Sequence, residues 1–182
     1  TRFLTSKYAT DKQYDNKLNS LIAVYNLTQF DLPKTVDSLI IQSKNELSEA
    51  EQQQMHFPVY DGINYNRSGS YPVGQCTWYV YNRFKQLGTS VDEFMGNGSD
   101  WGRKGRALGY QVSSLPKAGR AISFQPGVAG ADNQYGHVAF VEAVTSDGII
   151  ISESNVINDQ TISYRVLPNA IAYSSGVTYI GA

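Results

Sequence analysis

Apolar and polar positions change rhythm along this chain. In residues 1–57 the apolar side chains recur at helical spacing: Tyr14, Leu18, Leu21, Ile22 and Tyr25 form one stripe, and Val36, Leu39, Ile40 and Leu47 form another. Thr10 and Gln13 suit a capping box ahead of the first stripe, and Pro33 suits the first turn of the second. "SEAE" at 48–51 offers another capping box, for a short helix reaching about Met55. No heptad persists, so these are two or three amphipathic helices and not a long coiled coil. Over 58–75 Pro, Gly, Asn, Ser and Tyr alternate, which reads as a linker or domain entry. Helices then fit 76–87 and 99–108, stopped by Gly88 and Gly109. Strands fit 110–112, 119–125, 137–144, 148–155, 162–168 and 177–182. Helices followed by an antiparallel sheet make an α+β order. The expected division is a helical docking or linking segment over 1–57 and one domain over 58–182.

Charge changes this picture little. Residues 1–57 carry six Lys and Arg against seven Asp and Glu, and 58–182 carry nine against nine, for a net charge of −1. Nothing steers the chain to nucleic acid, and "GRKGR" at 102–106 reads as a solvated helix face. No apolar run approaches the roughly 20 residues that span a bilayer. The chain opens on Thr1, so it is expected to be a piece of a longer polypeptide whose targeting segment is missing. One Cys excludes an intrachain disulfide, and two His with scattered carboxylates show no metal-ligand spacing. No metal and no cofactor are expected.

The single thiol is where chemistry begins. Pro72 and Gly74 break the chain just before Cys76, which places it in the first turn of its helix. The free N–H groups and positive dipole end there favour a thiolate. On position alone, a buried inert thiol is an equal reading. The histidines separate the two. His56 stands at the junction of the helical segment and the linker with no partner motif, whereas His137 opens a strand behind "DNQYG". The next strand ends "SESN", which puts Glu153 and Asn155 two residues apart and on one face. A three-residue loop Ser146-Asp147-Gly148 would place Ala139 opposite Asn155 and Val141 opposite Glu153, with His137 on their face. A two-residue loop would put the histidine on the other side. A thiol at a helix N-terminus, an imidazole on a strand and a polar orienting group are the parts of a Cys–His nucleophilic site, in papain-like chain order.

"GQCTWYVYNRF", "GNGSDWGRKGRALGY", "PKAGRAISF", "YGHVAFVEAV" and "ISESN" together resemble the successive blocks of a CHAP domain, the cysteine, histidine-dependent amidohydrolase/peptidase module, over about 65–182. The resemblance implies a papain-like fold of the CHAP and NlpC/P60 type, with helices packed on an antiparallel sheet. It implies cleavage of an amide in the peptidoglycan stem peptide, cross-bridge or lactyl-alanine linkage, through a thioester and outside the cell membrane or at the wall. It maps the catalytic set onto Cys76, His137, Glu153 and Asn155. Gln75 resembles the family residue that helps the oxyanion, although capping the helix is an alternative. Trp101 and Tyr135 are candidate groove residues, while Trp78 reads as core. The Asp-rich calcium loop of some phage members is replaced here by Arg67, Ser68, Gly69 and Ser70. The competing reading is a non-catalytic wall-binding or scaffold module of a secretion or conjugation apparatus. Residues 1–57 lie outside the resemblance and are left to dock a partner protein or a second copy.

Overall fold

The computed structural model describes residues 11, 13–24, 47–158 and 160–182. The chain divides into two compact units, Thr1–Thr35 and Val36–Ala182. In the first, helix α1 runs Tyr14–Val24, with the Gln13 N–H bonded to Asp11 Oδ1 at 2.9 Å and the Lys17 ammonium paired to the other oxygen of that carboxylate at 2.6 Å. The Thr10 cap and the second helix expected around Val36, Leu39 and Ile40 lie outside the described residues.

The second unit begins its described part with α2, Glu49–Gln53, where Ser48 and Glu51 close the expected capping box. Leu47 is buried in the core of this unit, Met55 packs against it, and Phe57 meets Phe140 edge-on at 5.8 Å. Residues 47–57 thus belong physically to the body that carries the sheet. Residues 58–75, read as a linker or domain entry, are packed as an entry to the domain. Tyr60 and Tyr71 are buried, and Asn64 accepts from the Trp78 indole at 3.0 Å. Asn82 accepts from the backbone of Tyr65 and Asn66, the latter at 3.1 Å. Two successive tyrosines and asparagines can satisfy a helix flank as readily as they form a loop, and here a helix is available.

That helix is α3, Cys76–Gln86, whose residues from Thr77 to Phe84 are buried. Gly88, at φ 78, ends it in a Schellman turn: Gly88 N donates to Lys85 O at 3.1 Å and Thr89 N to Phe84 O at 3.0 Å. A 3-10 turn at Gly98–Asp100 leads into α4, Trp101–Ala107. The strands β1 Gln111–Ser113, β2 Ala121–Phe124, β3 His137–Val144, β4 Gly148–Ser154, β5 Ile162–Pro168 and β6 Val177–Gly181 follow, with the short helix α5, Asn169–Ala172, between β5 and β6. They form one antiparallel sheet in the order β1-β6-β2-β3-β4-β5. One face is covered by α3 and holds Val138, Phe140 and Ile150 with Trp78, Tyr79 and Phe84. The other holds Ala139, Val141, Ile149 and Ile151 with Ala172 and Tyr179.

The β3–β4 register differs from the one expected. Thr145 N donates to Gly148 O at 2.8 Å, so the turn has two central residues, Ser146 and Asp147. Val144 pairs with Ile149 and Ala143 with Ile150, but beyond a bulge Val141 pairs with Ile151 and Phe140 with Ser152. Glu142 is the extra residue. The turn alone would have carried Glu153 opposite Phe140, on the helix-covered face. The bulge moves the count by one, so Ala139 faces Glu153 and His137 lies one diagonal step away. The histidine and carboxylate share a face, as expected, by a route the turn residues do not announce.

Candidate active site

Cys76 is the first residue of α3. Gly74, at φ 84, turns the chain into it, and a Cβ there would fall 2.2 Å from the Gln160 side chain, because the loop after β4 lies against this turn. Ser154 Oγ reaches the same turn and donates to Gly74 O at 2.6 Å. Gln75 holds the N-cap position in extended backbone, yet its side chain makes no capping bond. The first N–H groups of α3 are therefore left uncapped by the Gln75 side chain, which is the environment that favours an anion.

His137 begins β3, and its backbone is pressed against Gly98, where an added Cβ would stand 2.4 Å from the histidine carbonyl carbon. The ring stacks on Phe124 with centroids 5.8 Å apart. Its Nε2 lies 3.0 Å from Glu153 Oε2, and the Cys76 thiol hydrogen-bonds the ring from the other side, which leaves Nδ1 for the sulfur. Burial alone would push the thiol up and the imidazole down. Both are reversed. The hydrogen bond and charge of His137, with the backbone N–H groups of Val138 and Thr77, bring the thiol below its ordinary value. The bonds to Cys76 and Glu153 and their negative charge raise His137 to about 9. Both shifts favour the charged pair, thiolate and imidazolium, over the neutral one.

Glu153 is 1% exposed. A carboxylate so buried needs compensation for lost hydration, and His137 supplies it on one side. Arg165 supplies it on the other: Nε stands 2.7 Å from Oε1, and Nη2 donates to Oε2 at 3.2 Å. Arg165 was missed by sequence reading. The available signal was one cation in the apolar strand "ISYRVLP", but its face relative to Glu153 depends on the loop 155–161, whose pairing the sequence leaves open.

Asn155 takes a different place from the one expected of a ring partner. It has left the strand at φ 65, and its Nδ2 donates to Gln75 Oε1 at 2.8 Å. This fixes the Gln75 amide beside the thiol, with its Nε2 end turned away from Asn155. Trp101 lines no groove: it is fully buried, its ring 6.2 Å from that of Tyr71. Trp78 is core. Tyr135, half exposed, does border the thiol. His56 is exposed and stands apart from the site.

Two cavities meet at the sulfur. One, of about 500 Å³, is lined by Tyr71, Glu93, Phe94 and Asn97; the other, of about 360 Å³, by Asp132, His137, Asn155, Val156 and Arg165. Gln75, Cys76, Tyr135 and Gly136 border both. Together they are a groove that crosses the thiol with the imidazole to one side.

The sequence pattern described as the CHAP domain matches residues 66–155. An N-acetylmuramoyl-L-alanine amidase domain-containing protein of Staphylococcus aureus is 44% identical over 173 residues, 94% of this chain and 27% of that protein. An N-acetylmuramoyl-L-alanine amidase of Staphylococcus epidermidis is 35% identical over 111 residues, 60% of this chain and 32% of that one. A crystal structure of an N-acetylmuramoyl-L-alanine amidase from Staphylococcus aureus superimposes with a TM-score of 0.64 at 42% identity, covering 98% of this chain and 49% of that one. The chain thus spans about a quarter to a half of the length of these relatives.

Proposed function

Residues 66–155 of this chain are a CHAP domain, and on that premise we propose that the protein is a peptidoglycan amidohydrolase working through Cys76. The observation that carries the reading is the buried chain of contacts Cys76–His137–Glu153, which holds the thiolate and imidazolium together. The Cys76 sulfur attacks the amide carbon, and the carbonyl oxygen becomes an oxyanion facing the Cys76 N–H and the Gln75 amide. The intermediate collapses with cleavage of the C–N bond while the His137 imidazolium gives its proton to the departing amine. The neutral imidazole then takes a proton from water, and the hydroxide adds to the thioester carbon. Collapse of this second intermediate expels the Cys76 thiolate beside the imidazolium and releases the carboxylic acid, whose proton passes to solvent or the freed amine. Glu153 orients the ring and stabilises its positive form throughout. Asn155 acts by fixing Gln75.

The general acid must lie beside the leaving nitrogen, so the amine half of the substrate occupies the cavity bordered by His137 and the acyl half the one bordered by Phe94. Among peptidoglycan amides, the names of the relatives favour the lactyl-alanine bond. The protein acts at the cell wall, where that substrate lies. The relative that matches 94% of the chain shares most of residues 1–57, which fits a docking role for that segment with a partner protein or a second copy.

Digestion of purified cell wall followed by mass spectrometry of the fragments tests this. The expected product carries a new amino terminus on L-alanine, and Cys76→Ala, which removes only the sulfur, yields none while keeping the wild-type circular dichroism. Undiminished release by Cys76→Ala would remove the thiol mechanism. A new terminus elsewhere would keep the mechanism and change the bond.

A further inference from the structure

We propose that Arg165 is a positioning residue of this site: it holds the Glu153 carboxylate against His137 and ties that carboxylate to the groove wall. The inference rests on the reading of Cys76, His137 and Glu153 as the reacting set. In the β4–β5 register Ser163 stands opposite Glu153 and Arg165 opposite Ile151. Arg165 is therefore the diagonal neighbour of Glu153 on the same face, within reach of a long side chain.

The guanidinium is used on three sides. Nε makes an ion-pair contact with Glu153 Oε1 at 2.7 Å without hydrogen-bond geometry, and Nη2 donates to Oε2 at 3.2 Å. Nη1 donates to the carbonyl of Ala129 at 2.9 Å. Its carbon lies 6.0 Å over the ring of Phe124, the ring on which His137 stacks. Ala129 is a non-glycine residue in left-handed backbone, φ 54 and ψ 31, between Gly127 at φ 77 and Gly130 at φ 83. A residue so placed is held by its surroundings, and the Arg165 bond is one such hold. The next residues, Gly130, Ala131 and Asp132, line the cavity assigned to the leaving amine. One planar fork thus joins the catalytic carboxylate to the wall along which the leaving group lies.

Without Arg165, the buried Glu153 carboxylate would lose the cation beside Oε1 and one of the hydrogen bonds to Oε2. A carboxylate in that position protonates or swings towards water, and either change takes it from the imidazole. Lysine offers a single point charge, which can meet Glu153 or Ala129 O but cannot bridge them.

The test uses the full chain with Arg165→Met, Arg165→Lys and Glu153→Gln. Arg165→Met is expected to lower kcat by about 100-fold with KM nearly unchanged, the scale of a small misplacement in a site, and Arg165→Lys to recover only part of this. Adding Arg165→Met to Glu153→Gln should lower kcat no further, since one acts through the other. NMR titration of the His137 ring gives a readout independent of turnover. The groups facing that ring are Cys76 from α3, Glu153 from β4 and Arg165 from β5, with Asp132 on the adjoining loop. Loss of the holding contact should bring the His137 pKa down. An unchanged His137 pKa, or independent losses in the double variant, would make Arg165 structural only. A rise would make it a competing charge and also overturn the proposal. Should Arg165→Met fold poorly, Arg165→Lys supplies the same two readouts. If Cys76→Ala keeps its activity, the catalytic reading fails instead, and the titration still reports whether Arg165 holds Glu153 on the ring.

Discussion

Arg83 and Glu142 meet in the core between α3 and β3: Nη2 donates to Oε2 at 2.8 Å and Nε to Oε1 at 3.0 Å, with both side chains 1% exposed. Ser152 completes the carboxylate by donating to Oε1 at 2.6 Å. Glu142 is the extra residue of the β3 bulge, and the bulge is what brings Glu153 onto the face of His137. The helix that begins with Cys76 therefore also carries the cation that holds the register of the other two members of the site.

Removing one partner should be costly. Arg83→Met leaves a buried, uncompensated carboxylate, and a loss of about 3–5 kcal/mol is expected. The paired change Arg83→Met with Glu142→Leu removes both charges and should recover most of that stability in denaturant unfolding. Activity should not return with it, because nothing polar then holds the bulged residue towards α3. A double variant with wild-type turnover would show that the ion pair does not set the register.

Glu153 and Asn155 stand close in sequence and should behave differently. Glu153→Gln removes the charge that stabilises the imidazolium, and a drop in kcat on the order of ten-thousandfold is expected, as for the acid of a triad. Asn155→Ala frees only the Gln75 amide, so its effect should not exceed that of losing one oxyanion donor, about a hundredfold. Gln75→Ala should match Asn155→Ala, and the pair together should cost little more than either alone. Steady-state rates for the four variants decide this.

The ionic state of the pair is open to direct measurement, since Cys76 is the one thiol in the chain. Cys76 is lowered and His137 raised to about 9, so the thiolate–imidazolium pair is favoured over the neutral one. Alkylation by iodoacetamide should therefore begin at a pH below the ordinary thiol range of about 8.5, and should fall only as acid protonates the sulfur. On the alkaline side the imidazolium is lost as pH rises through about 9, and the leaving amine loses its acid, so turnover should decline there while alkylation does not. In His137→Ala the alkylation profile should move to higher pH. A single alkylation step near the ordinary thiol range of about 8.5 in the wild type would contradict the ion pair.

Truncation separates the N-terminal elements. A chain beginning at Val36 keeps the second compact unit whole, and its thermal midpoint and turnover should stay close to those of the full chain. A chain beginning at Pro58 loses Leu47, Met55 and Phe57 from the core. Burial of two or three such side chains is worth about 1.5–3 kcal/mol each, so a clear fall in thermal midpoint is expected. Equal midpoints for the two truncations would show that residues 47–57 add nothing to the core.

Much of this protein was determined by local signals in its sequence. Strands β3 and β5 run over the expected residues because continuous apolar stretches bounded by turns have few other solutions. Helix α3 begins at Cys76 because Pro72 and Gly74 forbid an earlier start, and it ends before Gly88 because the left-handed turn there suits glycine. The thiol at a helix terminus and the histidine at a strand start followed from the same cues. What tertiary structure decided are the relations that need two distant segments at once. The two-residue turn alone would have set Glu153 on the face away from His137, and Glu142, bulging towards Arg83 fifty-nine positions away, reversed that. Asn155 met Gln75 instead of the imidazole because it left the strand in a left-handed conformation. Trp101 and the tyrosines of 58–75 were drawn into the core because aromatic area is buried wherever a facing surface exists, and no local pattern says where that surface will be. Arg165 took its role from a diagonal across β4 and β5, a distance set by pairing and invisible in spacing along the chain.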